Sequence, residues 1–332
     1  MPKPSIVKNV VRECVRAQEP FFLKGPVGVG KSEIAQQVCD ELKMELVDIR
    51  LSLMDPTDIK GFPAPDLAKG KMFWLPASFL PPMKAKTKGL LFLDEMNSAP
   101  PTVQAASYQL MLGRRIGDYI LPDGWTVGAA GNRAIDRSLV NTTPAALNNR
   151  MVQLEIEPDL EEFVTYARTK GVNDSVIGFL RFKQDLLHKF DPSQNPDAFP
   201  TPRGWFKVNK MEKLISDPNT AHEVFKGILG PGAAADYRAF NEVRASLPTI
   251  EQISKVPDDA PVPQLVGALH AVTTSLASAT TQASFEKFMR YVTRMPREWQ
   301  VLYIRDAMNV CSSIRFTKPF TTWCIANADI TL

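Results

Sequence analysis

Gly25-Pro26-Val27-Gly28-Val29-Gly30-Lys31-Ser32 is the stretch that decides the fold of this 332-residue chain. It fits the pattern GxxxxGK[ST] at every fixed position. Glycines are required there because backbone N–H groups must turn inward to approach phosphates, and the positive end of the following helix adds to the attraction. In that chemistry Lys31 reaches the β- and γ-phosphates of a nucleotide and the Ser32 hydroxyl ligates Mg²⁺. Gly25, Pro26, Val27, Gly28, Val29 and Gly30 are the candidate cradle. A tight glycine-rich turn with an exposed lysine is the rival reading, and the flanks decide against it. Phe21-Phe22-Leu23 is a short apolar strand, and from Lys31 a helix carries Ile34, Ala35, Val38, Cys39 and Leu42 on one face.

Working outward, Ile6, Val7, Val10, Val11 and Cys14 predict an amphipathic helix over 5–17. Leu46–Leu51, Leu90–Leu93 and Thr126–Ala130 read as further strands. Strands that are apolar without interruption are buried on both faces, as in parallel sheets. Strand and helix alternate, which predicts an α/β domain over 1–155 with helices on both sides of a parallel sheet. Beyond 156 the pattern turns helical, over 159–170, 174–189 and 203–216, with Pro192, Pro196, Pro200 and Pro202 marking loops. A second shift falls at 248–263, where Pro248, Pro257, Pro261 and Pro263 surround Asp258-Asp259. Segments 264–278, 282–294 and 297–310 follow as helices. The expected organisation is a core at 1–155, a helical part at 156–250 and a helical C-terminal extension at 251–332.

Composition bounds the function classes. The chain is 44% hydrophobic and 23% charged with net charge +3, ordinary for a soluble protein and neither demanding nor excluding nucleic acid. Lys3, Lys8, Arg12, Glu13, Arg16 and Glu19 leave no secretory apolar region at the start, and no apolar run is long enough to span a bilayer. Cys14, Cys39, Cys311 and Cys324 show no CxxC pairing, and His188, His222 and His270 are isolated from them. A His/Cys metal site, a Ser-His-Asp set and a Cys-His set are therefore not expected. A reducing, cytoplasmic compartment is.

The remaining candidates stand at strand ends. Leu90-Leu91-Phe92-Leu93-Asp94-Glu95 is an apolar strand ending in two carboxylates 62 residues beyond Ser32. At the C-terminal edge of a parallel sheet, Asp94 would hold Mg²⁺ through water, and Glu95 would orient and polarise an attacking water. Asn132 follows a strand through Gly131 and can position that water and touch the γ-phosphate. The competing reading makes Gly-Asn ordinary turn chemistry. Arg150, in Pro144-Ala145-Ala146-Leu147-Asn148-Asn149-Arg150, closes the α/β region, where an arginine can reach a neighbour's γ-phosphate; Arg133 and Arg137 compete for that role. Arg203, in Thr201-Pro202-Arg203-Gly204-Trp205, opens a helix whose dipole disfavours a cation, which points to a role beyond helix stability. Lys84, Lys86 and Lys88 form a basic loop that reads as a solvated connector rather than a nucleic-acid contact.

Taken in order over residues 20–250, these motifs resemble the AAA+ ATPases, and within them the MoxR-like, dynein-related group. Asp55-Pro56-Thr57-Asp58-Ile59-Lys60-Gly61 is similar to that group's segment after the second strand, and Asp94-Glu95-Met96-Asn97-Ser98-Ala99 to its extended Walker B. Pro144–Arg150 resembles its arginine-finger segment and Pro202-Arg203 its sensor 2 helix. The resemblance implies ATP with Mg²⁺, Asn132 as sensor 1, Arg150 acting in trans and Arg203 sensing nucleotide from a helical lid at 156–250. It also implies a homo-oligomer in the form of a hexameric ring, and hairpins near Phe62–Trp74 and Arg114–Trp125 lining its pore or one face. A protein with a von Willebrand factor A domain is the implied partner. One departure is Asn148-Asn149-Arg150-Met151, where the group more often has an acidic residue before the arginine and an aromatic after it. The expected function is ATP-driven remodelling or assembly of a protein partner. A motor on DNA and a McrB-like GTPase are the alternatives.

Overall fold

The computed structural model describes residues 2–133, 148–191 and 196–330. In chain order the first part contains α1 (Pro4–Ala17), β1 (Phe21–Lys24), α2 (Lys31–Leu42), β2 (Glu45–Arg50), α3 (Pro56–Lys60), β3 (Phe62–Asp66) and β4 (Lys71–Leu75). It continues with β5 (Gly89–Asp94), α4 (Pro101–Gly113), β6 (Arg115–Ile116), β7 (Tyr119–Ile120), β8 (Trp125–Gly131) and β9 (Val152–Glu155). Five strands form one parallel sheet in the order β2-β5-β8-β1-β9, while β3–β4 and β6–β7 are separate antiparallel hairpins.

Alternation along β5 explains the layering. All six of its residues are buried. Leu91 and Leu93 share a core with Val103, Ala106 and Leu110 of α4. Leu90 and Phe92 point the other way, into a core with Val7 and Val11 of α1 and Ile34 and Val38 of α2. Successive side chains of a strand face opposite ways, so one apolar run feeds two cores. Each such side chain contributes roughly 1.5–3 kcal/mol on burial. The predicted helices over 5–17 and from Lys31 and the four predicted strands are all present. A fifth strand, β9, pairs with β1 from Phe21↔Val152 to Lys24↔Glu155 and has no counterpart in the sequence reading.

Residues fall into two compact units. The first is Met1–Glu162 with Phe190–Pro196 and Thr201–Arg203, and the second is Phe163–Lys189, Asp197–Pro200 and Gly204–Leu332. Further helices are α5 (Leu160–Thr169), α6 (Asp174–Phe182), α7 (Pro202–Glu212), α8 (Pro218–Leu229), α9 (Pro231–Ala245) and α10 (Ile250–Lys255). They are followed by α11 (Val266–Ser278), α12 (Phe285–Val292), α13 (Arg297–Val310) and α14 (Lys318–Ala326). The segment read as one helix over 174–189 ends at Phe182, and a 3₁₀ turn covers Gln184–Leu187. Helices α8 and α9 lie where no element was expected.

In the second unit Phe179, Trp205, Tyr237 and Phe240 pack edge-on or tilted with ring centroids 5.1–5.5 Å apart. A larger core joins Ile253, Leu276, Phe288, Tyr303 and Trp323, so residues 251–330 bury their own apolar stripe. Asp306, 1% exposed, accepts from both terminal nitrogens of Arg181, with Nη2 at 2.7 Å, and from Arg168 Nη2 at 3.2 Å. Among the described residues no helix is long and apolar enough to cross a membrane.

Candidate functional site

Parallel strands bring their C-terminal ends to one edge of the sheet, which places the loops after β1, β5 and β8 side by side. Lys24 pairs with Gly131, and Gly25 N–H donates to the Gly131 carbonyl at 3.3 Å. Between β1 and α2 the chain turns through Gly28 at φ 75° and Gly30 at φ 105°, left-handed values that favour glycine. A Cβ on Gly28 would also lie 2.8 Å from Cβ of Thr201. Helix α2 opens at Gly30 without a side-chain cap, and a helix N-terminus is the kind of place where an anion binds.

Lys31 is buried, 9% exposed. Its Nζ donates to the carbonyls of Gly25 at 2.9 Å and Pro26 at 3.1 Å and to Asn132 Oδ1 at 3.0 Å. Three acceptors compensate an ammonium that burial alone would penalise. Next to it, Ser32 Oγ donates to Asp94 Oδ2 at 2.9 Å, and Asp94 Oδ1 accepts from the Glu95 N–H at 2.8 Å. A hydroxyl and a buried carboxylate in contact form the all-oxygen donor set that a hard divalent cation takes, so these residues fit Mg²⁺.

Glu95 adopts φ 56°, uncommon for a non-glycine residue, and the turn takes its carboxylate away from the strand axis. Ser52 Oγ donates to Glu95 Oε2, and Arg50 Nε lies 3.3 Å from Oε1. Arg50 stands opposite Asp94 in the β2–β5 register, and Ser52 sits in the 3₁₀ turn Leu51–Leu53 that follows. Two residues back on the same strand face, the Asp48 carboxyl is pushed above the usual carboxylate range, first by burial and then by the charge of Asp94. Asn132 is held through its backbone: Asn97 Nδ2 donates to its carbonyl at 2.7 Å, and its N–H donates to Asn97 Oδ1 at 3.1 Å. Arg50, Ser52 and Asn97 were not singled out from sequence. Asn97 lay inside a quoted motif, whereas only strand register brings Arg50 and Ser52 to Glu95.

The three arginine candidates part company. Arg133 pairs with Glu157 at 3.1 Å and lies 4.0 Å from Glu155, acids of its own chain just past and at the end of β9. Arg137 and the segment Pro144–Leu147 lie outside the described residues. Arg150 is exposed and precedes β9, at the edge of the sheet opposite the phosphate loop. There it lines a cavity of about 390 Å³ with Glu19, Pro20, Met111, Leu112 and Arg114. Arg203 also has an exposed side chain, but its backbone N–H donates to the Gly28 carbonyl at 3.2 Å, bringing the start of α7 against the phosphate loop.

Both expected hairpins exist, and they touch. The Trp74 N–H donates to Asp118 Oδ2 at 2.8 Å, and the Trp74 side chain packs where a Cβ on Gly117 would stand, 3.3 Å away.

A glycine loop between β1 and α2, a hydroxyl–carboxylate pair beneath it and a parallel sheet in the order β2-β5-β8-β1-β9 define a P-loop NTPase. Residues 20–151 match the family model of the AAA domain of the dynein-related subfamily. That stretch is an AAA domain. Over 116 residues the chain is 33% identical to midasin of Giardia intestinalis, a match covering 34% of this chain and 2% of that protein. Among solved structures it is similar to the RuvB Holliday junction branch migration motor of Thermotoga maritima, at 16% identity over 88% of this chain and 86% of that one, TM-score 0.40. It is also similar to NtrX from Brucella abortus in complex with ADP, at 14% identity over 98% and 65%, TM-score 0.35.

Proposed function

We propose that the chain works as one subunit of a MoxR-type hexameric ring that spends ATP hydrolysis on remodelling or assembling a protein partner in the cytoplasm. The observation that carries the hydrolytic part is the bonded set Lys31–Asn132 and Ser32–Asp94 directly beneath the glycine loop. With nucleotide in place, Lys31 exchanges its loop carbonyls for β- and γ-phosphate oxygens. Ser32 and Asp94 would hold Mg²⁺, which supplies neutralisation of charge on those oxygens. Glu95 orients the attacking water for in-line displacement, its carboxylate aimed by Ser52 and Arg50. Asn132 fixes the water's other side. Arg203 reads the nucleotide from the start of α7, and Arg150 is offered to the site of an adjacent subunit.

A protein rather than DNA as the object of the motor is supported by the β3–β4 hairpin. Phe62, Leu67, Met72, Phe73 and Leu75 are all exposed within it, Leu67 to 89%. Phe62 stands opposite Leu75 and Ala64 opposite Phe73, so one hairpin face is apolar up to the charged pair Asp66↔Lys71 beside the turn. An exposed apolar patch of that kind is covered favourably by polypeptide side chains and poorly by a phosphate backbone. A partner with a von Willebrand factor A domain follows from the family resemblance.

The test is a Glu95→Gln chain, expected to bind ATP and stall, loaded with ATP and analysed for co-purifying protein. In parallel, ATP turnover of the unaltered chain is measured with an unfolded polypeptide and with duplex DNA. Stimulation by duplex alone, with steep salt dependence, would overturn the protein-remodelling reading.

A further inference from the structure

Strand β5 leaves the sheet at Asp94, because the left-handed turn at Glu95 carries the chain away from β8. The ladder between them ends at Leu93↔Ala129. Past that point the peptide of Asn132 has no strand beside it, yet both its polar groups are bonded. The carboxamide of Asn97, 6% exposed, fills the place of the departed strand, donating to the Asn132 carbonyl at 2.7 Å and accepting from its N–H at 3.1 Å. A side-chain amide carries the same donor and acceptor pair as a peptide and so can extend a ladder. Gly131 makes this possible: a Cβ there would stand 2.2 Å from Asn97 Oδ1. Its backbone is not left-handed, so glycine is needed for space.

We infer that Asn97 is a positioning residue for hydrolysis, setting where the Asn132 side chain stands relative to Lys31 and the attacking water; this rests on the role proposed above for Asn132. The path is short and fully bonded. Asn97 fixes the Asn132 peptide, and Asn132 Oδ1 accepts from Lys31 Nζ at 3.0 Å. Asn97 also lies in the Met96–Ser98 turn directly after Glu95, so the residue that orients the water and the residue that senses it are tied through one carboxamide. Nucleotide affinity depends on the loop amides and Lys31, which this link does not supply. Removing it therefore lowers turnover rather than binding.

The experiment measures nucleotide Kd, KM and kcat on the full chain for Asn97→Ala, Asn97→Asp, Asn132→Ala and the Asn97→Ala/Asn132→Ala pair. The aspartate keeps the acceptor for the Asn132 N–H but faces its carbonyl with a carboxylate oxygen, and it stands in if the alanine variant does not fold. Expected is a kcat loss of about ten- to a hundredfold in Asn97→Ala and Asn97→Asp, with Kd nearly unchanged. The double variant should be no worse than Asn132→Ala alone, since both act through one group. If Asn132→Ala loses turnover while Asn97→Ala and Asn97→Asp keep it, the inference is wrong and the Asn132 assignment survives. Additive losses in the double variant would also overturn it. If Asn132→Ala turns over normally, the reading of Asn132 fails and the inference falls with it.

Discussion

Two inactive variants of this chain should restore each other. In the β1–β9 register Phe21 stands opposite Val152, and Ile156 N–H donates to the Lys24 carbonyl at 2.8 Å. Arg150 precedes Val152, whereas the phosphate loop begins one residue past Lys24. Four strand residues therefore separate the arginine's edge from the phosphate edge, at least about 13 Å of rise, with the loop and nucleotide beyond. That exceeds the reach of an arginine side chain, so any action of Arg150 on a γ-phosphate must be on a neighbour's. An Arg150→Ala subunit then keeps an intact pocket and lacks only the finger it donates, while a Glu95→Gln subunit has a dead pocket and an intact finger. A productive site needs the pocket of the first facing the finger of the second. At equal mixing this arises in about a quarter of the interfaces of a head-to-tail ring, whatever the subunit number. Steady-state phosphate release from co-assembled mixtures should therefore rise from near zero at either pure end to a maximum of about a quarter of unaltered activity at one to one. Co-assembly is verified by pull-down of differently tagged subunits. Mixtures that co-assemble yet stay inactive at every ratio would refute the placement of Arg150 in trans.

Other consequences are simpler to state. Lys31→Ala removes a charged donor worth about 1.5–3 kcal/mol per bond, so nucleotide affinity should fall roughly ten- to a hundredfold, and an unchanged Kd in a fluorescent-nucleotide titration would defeat the loop assignment. Asp306→Ala leaves Arg181, 3% exposed at its side chain, without its carboxylate. Stranding a buried charge costs about 3–5 kcal/mol, or about 6–20 °C in the unfolding of a unit this size, so a calorimetric shift below about 2 °C would contradict it. His270 is pushed down to about 4 by burial and then by the charge of Arg181, from an unfolded value of 6.5. Between those values the unfolded chain binds the extra proton, so stability is full above 6.5 and declines as pH falls towards 4, by roughly 3 kcal/mol at most. Urea midpoints of a His270→Phe variant should lack that part of the acid loss, and identical pH profiles would exclude His270 as its source.

Much of the first unit is legible because its signals are local. Leu90–Leu93 reads as a buried strand since both its faces meet a core, and the glycines of the phosphate loop announce themselves by spacing. Strand β9 is illegible for the opposite reason. Val152-Gln153-Leu154-Glu155 is short, half exposed and at the sheet edge, and only pairing with β1 makes it a strand. Two helices of the second unit went unread because they open on proline. Pro218 and Pro231 each occupy the first position of a helix, where the missing N–H costs nothing, yet a proline taken alone is equally a loop signal.

The site divides along the same line. Lys31, Ser32 and Asp94 are found by residue type and spacing because each meets a phosphate or a metal directly. Arg50 and Ser52 act on Glu95 from a neighbouring strand, and nothing within their own segment distinguishes them from surface residues. Gly131-Asn132 shows how far a local reading can carry. As a dipeptide it is turn chemistry. In the fold Gly131 ends β8 without a left-handed φ, and its missing side chain is the space that Asn97 occupies. The same two residues support either reading until a carboxamide 35 positions away is placed against them. Asn132 therefore owes its position to a long-range contact, and this is why its assignment from sequence alone stayed open between turn and sensor while that of Lys31 did not.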